Sequence, residues 1–367
     1  MGNEAILVLQ GGGALGAYEC GVYKALVPYI ERHGHSLSLV AGTSIGALNA
    51  SVIATRYNTD KDRGVRALED LWTRRLATPS APFLPDVCAF QSYNAIWTNL
   101  LFGNLRLYSP RFFGWPLFAP VFWGSFTYFY DVEPMRKTLA EIFAPISAHN
   151  KGEAPRLIVT AVDIESGSPK VFDSEDDAIN PEDVLASCAL PPWLPEKAHD
   201  GRHYWDGGLQ SNTPLRDALN ALQRQAPDRV AEEYDVYIVA IFPRKGRIPT
   251  NNWEVWSRAA QITYGDKSEF DETVSNMMNR YLDFVKRTHE ASRGAPTSPL
   301  RDMIEEEYEK LRDNKRVKLN IKRIQRDALD GELTSREIDF SPKRICALIQ
   351  QGYDDARREL HAQDTKK

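Results

Sequence analysis

The residues best suited to chemistry lie where an apolar run meets a helix-forming one, in LSLVAGTSIGALNASVIA at residues 37–54. Gly42, Ser44 and Gly46 fit the pattern G-x-S-x-G, in which a tight strand-to-helix turn exposes a nucleophilic serine and the glycines allow close passage of the chain. The helix N-terminus that follows favours negative charge developing at the serine. The pattern predicts that Ser44 is a nucleophile; the alternative is a capping serine in a tight turn.

A glycine-rich loop, GGGALG at residues 11–16, occupies the same kind of turn one strand–helix unit earlier. Its bare backbone can direct several N–H groups at one point, as an oxyanion hole requires for stabilising a tetrahedral intermediate. The candidate donors are Gly11, Gly12, Gly13 and Ala14, and Gly16 completes the motif.

The same loop also matches G-x-G-x-x-G, the dinucleotide-binding fingerprint, so a nicotinamide-dependent oxidoreductase is an open alternative. Such a domain carries an acidic residue at the end of its second strand. This chain has Gly42-Thr43-Ser44 at that place, and Glu31 comes before the strand. A phosphate-binding P-loop is excluded, because no Lys-Ser or Lys-Thr pair follows the glycines.

A catalytic serine needs a group that accepts its proton, and histidine is the usual one. The seven histidines all lack a distinctive surrounding motif; they are His33, His35, His149, His199, His203, His289 and His361. A carboxylate can serve if it is held within hydrogen-bond reach. Asp206 stands before Gly207 and Gly208 in HYWDGGLQSNTPL, where the chain must turn sharply. The residues favour Asp206, with a simple Asp-Gly turn between strands as the structural alternative.

Short buried strands must hold these turns in place. AILVLQ at Ala5–Gln10 and LSLVAG at Leu37–Gly42 each precede a glycine turn and a helix, and this alternation predicts a mostly parallel α/β sheet. Further buried strands are expected at Leu157–Asp163 and Tyr234–Phe242. Pro28 predicts an end or a kink in the first helix.

The rest of the chain predicts two additions to that sheet. Residues 81–130 hold 16 aromatic and only three charged residues, which marks an insertion. Such a segment either lines an acyl pocket or touches a lipid surface, or it forms core or a subunit interface. Beyond residue 245, apolar residues at helical spacing and the alternation in VKLNIKRI predict a smaller α+β extension. The predicted organisation is a main α/β domain at residues 1–245, containing the insertion, and an extension at residues 246–367.

Composition narrows the classes of protein and their surroundings. With 367 residues and a formal net charge of −5, the chain has no positive excess for binding nucleic acid. Its four scattered cysteines lack metal-binding spacing and predict reduced thiols; they are Cys20, Cys88, Cys188 and Cys346. Neither a signal peptide nor a long apolar span is evident. We expect a cytoplasmic protein, peripheral to membranes if residues 81–130 touch them.

The motifs GGGALG, GTSIG and DGG, in that order, closely resemble the patatin-like phospholipase family, as do the flanking words VTAVDIESGSPKVFDS and ASCALPPWLP. The similarity covers residues 5–245, and the remainder resembles an extension in one bacterial branch of that family. It implies a three-layer α/β fold and hydrolysis of lipid acyl esters by a Ser–Asp dyad, without histidine, metal or cofactor. Ser44 is then the nucleophile, Asp206 the general base and Gly11, Gly12 and Gly13 the oxyanion loop.

One departure from the family concerns the substrate. Many members carry Lys or Arg at the variable positions of the glycine loop, where this chain has Ala14 and Leu15. A positive charge that could assist an oxyanion or a phosphate headgroup is therefore missing. The resemblance implies a lipid or ester substrate without favouring phospholipids over neutral esters. A catalytically silent lipid-binding protein is a further class left open.

Overall fold

The computed structural model describes residues 4–78, 91–111, 126–143, 145–146, 154–225, 233–265, 267–294, 296–314, 317–327 and 336–364. The strands in these residues are β1 (Glu4–Leu9), β2 (Ser36–Thr43), β3 (Ser109–Pro110), β4 (Tyr130–Asp131), β5 (Arg156–Asp163), β6 (Pro169–Asp173), β7 (Lys197–His199), β8 (Arg202–Asp206), β9 (Glu233–Ala240) and β10 (Lys318–Gln325).

The α-helices in the same residues are α1 (Gly16–Arg32), α2 (Ile45–Arg56), α3 (Val65–Asp70), α4 (Gln91–Phe102), α5 (Glu133–Ile142), α6 (Pro181–Ser187), α7 (Leu215–Gln225), α8 (Asn252–Tyr264), α9 (Glu269–Ser292), α10 (Pro299–Asp313) and α11 (Pro342–Asp364). A single π-helical stretch, Leu71–Leu76, continues α3.

Within the described residues the main sheet has eight strands, and its centre follows the order β10-β9-β1-β2-β5 with every pair parallel. Strands β6, β7 and β8 add antiparallel pairs at one end of the sheet. The two strands that begin the chain are fully apolar along most of their length, as expected for parallel strands covered on both faces. The mostly parallel α/β sheet predicted from the sequence is confirmed.

Alternate residues of each central strand enter two different cores. In β1, Leu7 and Leu9 belong to the larger core under α1 and α2, whereas Ile6 and Val8 belong to a second core under α7. Side chains alternate between the faces of a strand, so a strand buried on both faces is apolar at every position. Helices therefore cover both faces of the sheet and give three layers.

The C-terminal extension contributes to the same sheet and to one of its helix layers. Strand β10 pairs with β9 over its whole length, from Lys318 beside Glu233 to Gln325 beside Ala240. Helix α11 packs against α1 at close range, because a Cβ on Gly21 would collide with the Ile349 carbonyl. The domain boundary at residue 245 stays a prediction. The main sheet contains strands from both sides of that residue, because β10 pairs with β9.

Two further expectations meet the structure only in part. Helix α1 continues past Pro28 to Arg32, so the proline does not end it. Of the aromatic-rich segment, residues 81–90 and 112–125 lie outside the described residues, and the lipid-contact prediction for them stays a prediction. In the described portion, Phe129 and Tyr130 are buried, whereas Trp97 is 47% exposed. No helix in the described part of the chain combines the length and the apolar character needed to cross a lipid bilayer.

Candidate active site

The pairing of β5 explains how residues far apart in sequence meet. Thr160 of β5 lies beside Thr43, the last residue of β2, and the next residue, Ala161, lies beside Asp206, the last residue of β8. Strand β6 occupies the opposite edge of β5 along this whole stretch. Strands β2 and β8 therefore share one edge of β5, end to end. The turn after Thr43 and the carboxylate of Asp206 meet at that junction.

Ser44 has the strained backbone that a nucleophile turn requires. Its φ is 55° and its ψ is −125°, a region that residues with a side chain rarely adopt. The Ser44 N–H donates to the Ser187 hydroxyl at 2.9 Å. A Cβ on Gly42 would collide with the carbonyl oxygen of Gly46, and one on Gly46 would lie 2.7 Å from the Leu9 carbonyl oxygen. Both glycines of the motif are thus required by close backbone contact.

Asp206 is buried beside this serine. The residue is 2% exposed, and its carboxylate accepts a hydrogen bond from the Gly208 N–H at 2.7 Å. The Ser44 hydroxyl lies close enough to this carboxylate to lower its pKa. Burial raises the pKa of Asp206 to about 7, against the lowering effect of these two groups. A Cβ on Gly207 would lie 2.5 Å from the Thr160 carbonyl oxygen, so this glycine lets the turn rest on β5. A carboxyl group with this pKa can exchange a proton near neutral pH, as the sequence-based prediction for Asp206 requires.

The glycine loop lies directly against the serine. A Cβ on Gly11 would be 2.9 Å from the Cβ of Ser44. The N–H of Gly11 is engaged with the Asn212 carbonyl at 3.2 Å. Among the described residues, none accepts a hydrogen bond from the N–H of Gly12 or Gly13. The N–H groups of Gly12 and Gly13 are thus two of the expected oxyanion donors that the described residues leave without an acceptor.

Asn212 and Gln10 hold this loop, and sequence reasoning assigned neither. The Asn212 side-chain amide donates to the carbonyls of Gly11 (2.8 Å) and Tyr264 (2.7 Å). The Gln10 side chain accepts from the Ile241 N–H (2.7 Å) and donates to the Tyr264 carbonyl (3.0 Å). The signal for Asn212 was present, because it lies in the SNTP that follows Asp206. The signal for Gln10 was that it is the polar residue at the end of the apolar segment Ala5–Gln10.

The buried side chain of Glu19 forms hydrogen bonds that support the glycine loop. Glu19 of α1 is 1% exposed; it accepts from the Gln10 N–H at 2.8 Å and from the Asn49 side-chain amide at 2.8 Å. Asn49 in turn accepts from the indole N–H of Trp72 at 2.9 Å. This network joins the start of α1 to α2, the two helices that follow the glycine loop and Ser44.

Protein contacts account for the glycines of the loop. A Cβ on Gly12 would lie 2.6 Å from the Ile241 side chain, and one on Gly13, whose φ is +57°, would collide with the Glu337 carbonyl. In a dinucleotide site, glycines leave room for a pyrophosphate. Here the space at Gly11, Gly12 and Gly13 is filled by the chain itself, which weighs against the oxidoreductase alternative.

Four of the described histidines pair with acidic side chains, and His361 is exposed on α11. His33 pairs with Asp364, His35 with Asp235, His199 with Asp183 and His289 with Glu305. His203 has an exposed side chain on β8, and His149 lies outside the described residues. The group that the structure brings to Ser44 is Asp206. In the portion of the chain that the structure describes, no three His, Cys, Asp or Glu side chains cluster as metal ligands would.

The fold is that of an α/β protein with a strained serine at a strand-to-helix turn of its parallel sheet, the geometry expected of the G-x-S-x-G pattern. The family model for patatin-like phospholipases matches residues 7–219, and a second model, described as patatin phospholipase, matches residues 270–367. The chain belongs to the patatin-like phospholipase family, as its motifs indicated.

The curated relatives are much longer proteins. A lysophospholipase NTE1 from Meyerozyma guilliermondii is 32% identical over 119 residues, which cover 31% of this chain and 8% of that protein. The lysophospholipase NTE1 of Candida albicans is 25% identical over 223 residues, covering 59% of this chain and 12% of that protein. Among solved structures, VipD from Legionella pneumophila aligns with 99% of this chain and 67% of its own at a TM-score of 0.40 and 13% identity.

Proposed function

We propose that the protein is a serine acyl hydrolase that cleaves carboxylic esters of lipids through a Ser44–Asp206 dyad. The observation that carries this proposal is that the strained, partly exposed Ser44 and the buried carboxylate of Asp206 lie together where β2 and β8 end on one edge of β5. Family membership and relatives named lysophospholipase support a lipid substrate. They support it in general terms, and the substrate headgroup is left open.

The first half of the reaction forms an acyl-enzyme. The Ser44 oxygen attacks the ester carbonyl while its proton passes to Asp206, which must be ionised to accept it. The negative charge on the carbonyl oxygen is stabilised by backbone N–H groups of the glycine loop. The N–H of Gly11 already donates to the Asn212 carbonyl, so we assign stabilisation of this charge to the N–H groups of Gly12 and Gly13. Ala14 is the next candidate donor along the loop. The leaving alcohol then takes the proton from Asp206.

The second half returns the enzyme to its starting state. Asp206 accepts a proton from water, which attacks the acyl group on Ser44, and the proton returns to Ser44 as the fatty acid leaves. The aspartate thus acts as base and acid in turn. A pKa of about 7 suits both roles, because neither protonation state is strongly disfavoured near neutral pH.

The direct test compares hydrolysis of a soluble p-nitrophenyl ester by the wild type and by Ser44→Ala and Asp206→Asn. Removing either member of a catalytic unit is expected to lower kcat by roughly 10⁴-fold or more. The matched control is His203→Ala, three residues before Asp206 on the same strand and exposed to solvent. Loss of turnover in the folded His203 variant would require a triad in place of the dyad, and full activity of Ser44→Ala would refute the proposal.

A further inference from the structure

Helix α8 has its polar and apolar faces reversed with respect to water. Ser257 and Gln261 are buried at 7% and 9% exposure, whereas Val255, Trp256 and Ile262 are 52%, 76% and 62% exposed. Residues three or four apart share one face of a helix. We define the outer face of α8 as Val255, Trp256, Ala259 and Ile262, all of them exposed. A helix that faced only water would carry these side chains inward.

The polar inner face of α8 is tied to the candidate site. At the end of the helix, the Tyr264 carbonyl accepts hydrogen bonds from Gln10 and Asn212, the two side chains that hold the glycine loop. The Tyr264 ring lies 6.4 Å from that of Phe242, which follows β9. The same helix therefore contacts the residues that hold the glycine loop and exposes its apolar outer face to solvent.

A basic segment lies against the same helix. Lys245 and Arg247 are exposed, and Ile248 is 89% exposed, whereas the exposed Arg244 forms an ion pair with Glu269 of α9. Arg258 of α8 donates to the carbonyls of Pro243 (3.4 Å) and Arg244 (2.9 Å), which fixes the segment to the helix. Residues 244–262 contain four basic residues and one acidic residue, in a chain whose net charge is −5.

We propose that the outer face of α8 and the basic segment 244–247 together form a docking surface for an anionic phospholipid bilayer. This inference rests on the proposed function and adds to it the surface from which the substrate comes. Exposed Trp and Ile beside Arg and Lys are the combination that binds the interface of a charged membrane, the rings entering the headgroup region while the cations contact lipid phosphates. A second copy of the chain is disfavoured as occupant, because two-fold pairing would bring the same basic segments together.

The test measures flotation with vesicles, using protein that carries Ser44→Ala so that lipid is not consumed. Phosphatidylcholine vesicles are compared with vesicles that also contain phosphatidylglycerol. We expect binding to the anionic vesicles that weakens with added salt. Lys245→Gln with Arg247→Gln is expected to weaken that binding roughly 30-fold, since each basic residue contributes roughly fivefold at an anionic surface. Trp256→Ser with Ile262→Ser is expected to weaken it about tenfold or more through lost apolar insertion.

The matched control is Leu300→Ser with Met303→Ser on α10, which removes residues of similar exposure, 67% and 66%, from a different helix. This pair is expected to bind vesicles like the parent. The proposal would be overturned if the Trp256/Ile262 variant bound vesicles as the parent does, or if the control variant lost binding equally. It would also be overturned if light scattering showed a dimer that the Trp256/Ile262 changes dissociate.

A separate measurement distinguishes this inference from the proposed function. In protein that retains Ser44, the Lys245/Arg247 and the Trp256/Ile262 double variants should each hydrolyse a soluble ester at the wild-type rate. They should lose activity only on anionic vesicles. Absence of soluble-ester hydrolysis in the wild type, with vesicle binding intact, would refute the hydrolase alone. If the wild type hydrolyses the soluble ester but neither double variant weakens vesicle binding, the docking surface alone would be refuted.

Discussion

The hydroxyl of Ser44 lies beside the carboxylate of Asp206 and lowers its pKa, although 161 residues separate the two along the chain. The junction of β2 and β8 on one edge of β5 produces this contact, because Thr43 and Asp206 lie beside consecutive residues of β5. The contact is thus a property of the sheet, and it does not depend on a mobile loop.

The raised pKa of Asp206 predicts how activity depends on pH. The dyad needs the ionised carboxylate, so kcat/KM for a soluble ester should rise with pH and level off above about 7. Profiles measured at constant ionic strength over the range from acid to weakly alkaline pH check this. A profile that is already flat well below neutral pH would show that Asp206 is not the titrating base.

The same shift affects stability with a defined sign. A carboxyl whose folded pKa exceeds its unfolded value binds more protons when folded, so ionising Asp206 costs stability as pH rises from its ordinary pKa of 3.8 to about 7. Asp206→Asn removes this cost. We expect the variant to be at least as stable as the wild type at pH 8 in urea unfolding, while being inactive. A large loss of stability there would point to a structural role.

The glycines of the elbow should not tolerate a methyl group. Alanine at position 42 would collide with the Gly46 carbonyl, and alanine at position 46 would press on the Leu9 carbonyl. Neither backbone group can move without disturbing the sheet, so Gly42→Ala and Gly46→Ala should each abolish activity and lower Tm by several degrees. Gly294→Ala is the control, because nothing lies within 4 Å of its added carbon. Equal effects at all three positions would contradict this account.

Asn212 is expected to act by positioning the oxyanion loop. Asn212→Asp keeps the shape of the side chain but replaces the donors to the carbonyls of Gly11 and Tyr264 with a repelling oxygen. We expect kcat to fall about 100-fold, by analogy with loss of oxyanion stabilisation, with KM changed little. Asn220→Asp, the same chemical change at an exposed position, should be neutral. A rise in KM at unchanged kcat would show that Asn212 serves substrate binding instead.

The network under the loop predicts a stability effect at Glu19. Glu19→Ala leaves the Gln10 N–H and the Asn49 amide without an acceptor in a buried place, and each such group costs roughly 1–3 kcal/mol. The free energy of unfolding in urea should therefore fall by several kcal/mol. Glu69→Ala removes only a partly exposed pair with Lys24 and should cost less than about 1 kcal/mol. Similar losses for the two variants would mean that the Glu19 network adds little.

Local patterns predicted the parts of the site that depend on local geometry. The apolar strands, the elbow at Ser44 and the turn at Asp206 each leave a signature within a few residues, since buried parallel strands are apolar throughout and tight turns need glycine. The proximity of Ser44 and Asp206 has no such signature, because it arises from strand order in the sheet. Family resemblance supplied that pairing.

Other features could not be predicted because tertiary contacts decide them. The alternating strand near residue 320 was expected within a separate extension, yet it pairs with β9 at the edge of the main sheet. Pro28 lies on the exposed side of α1, where the unpaired carbonyl one turn earlier can reach water, and the helix continues. The support from Gln10 and Asn212 joins residues 202 positions apart, and only the fold brings them together.

The most direct measurement of the central claim is covalent labelling with a fluorophosphonate, followed by peptide mass spectrometry. Only a serine activated by a neighbouring base reacts readily with this probe, so the account predicts one adduct, on Ser44. Labelling should be strongly slowed in Asp206→Asn and preserved in His203→Ala. An unlabelled wild type, or an adduct on a serine other than Ser44, would contradict the Ser44–Asp206 dyad and would favour a lipid-binding protein without this catalysis.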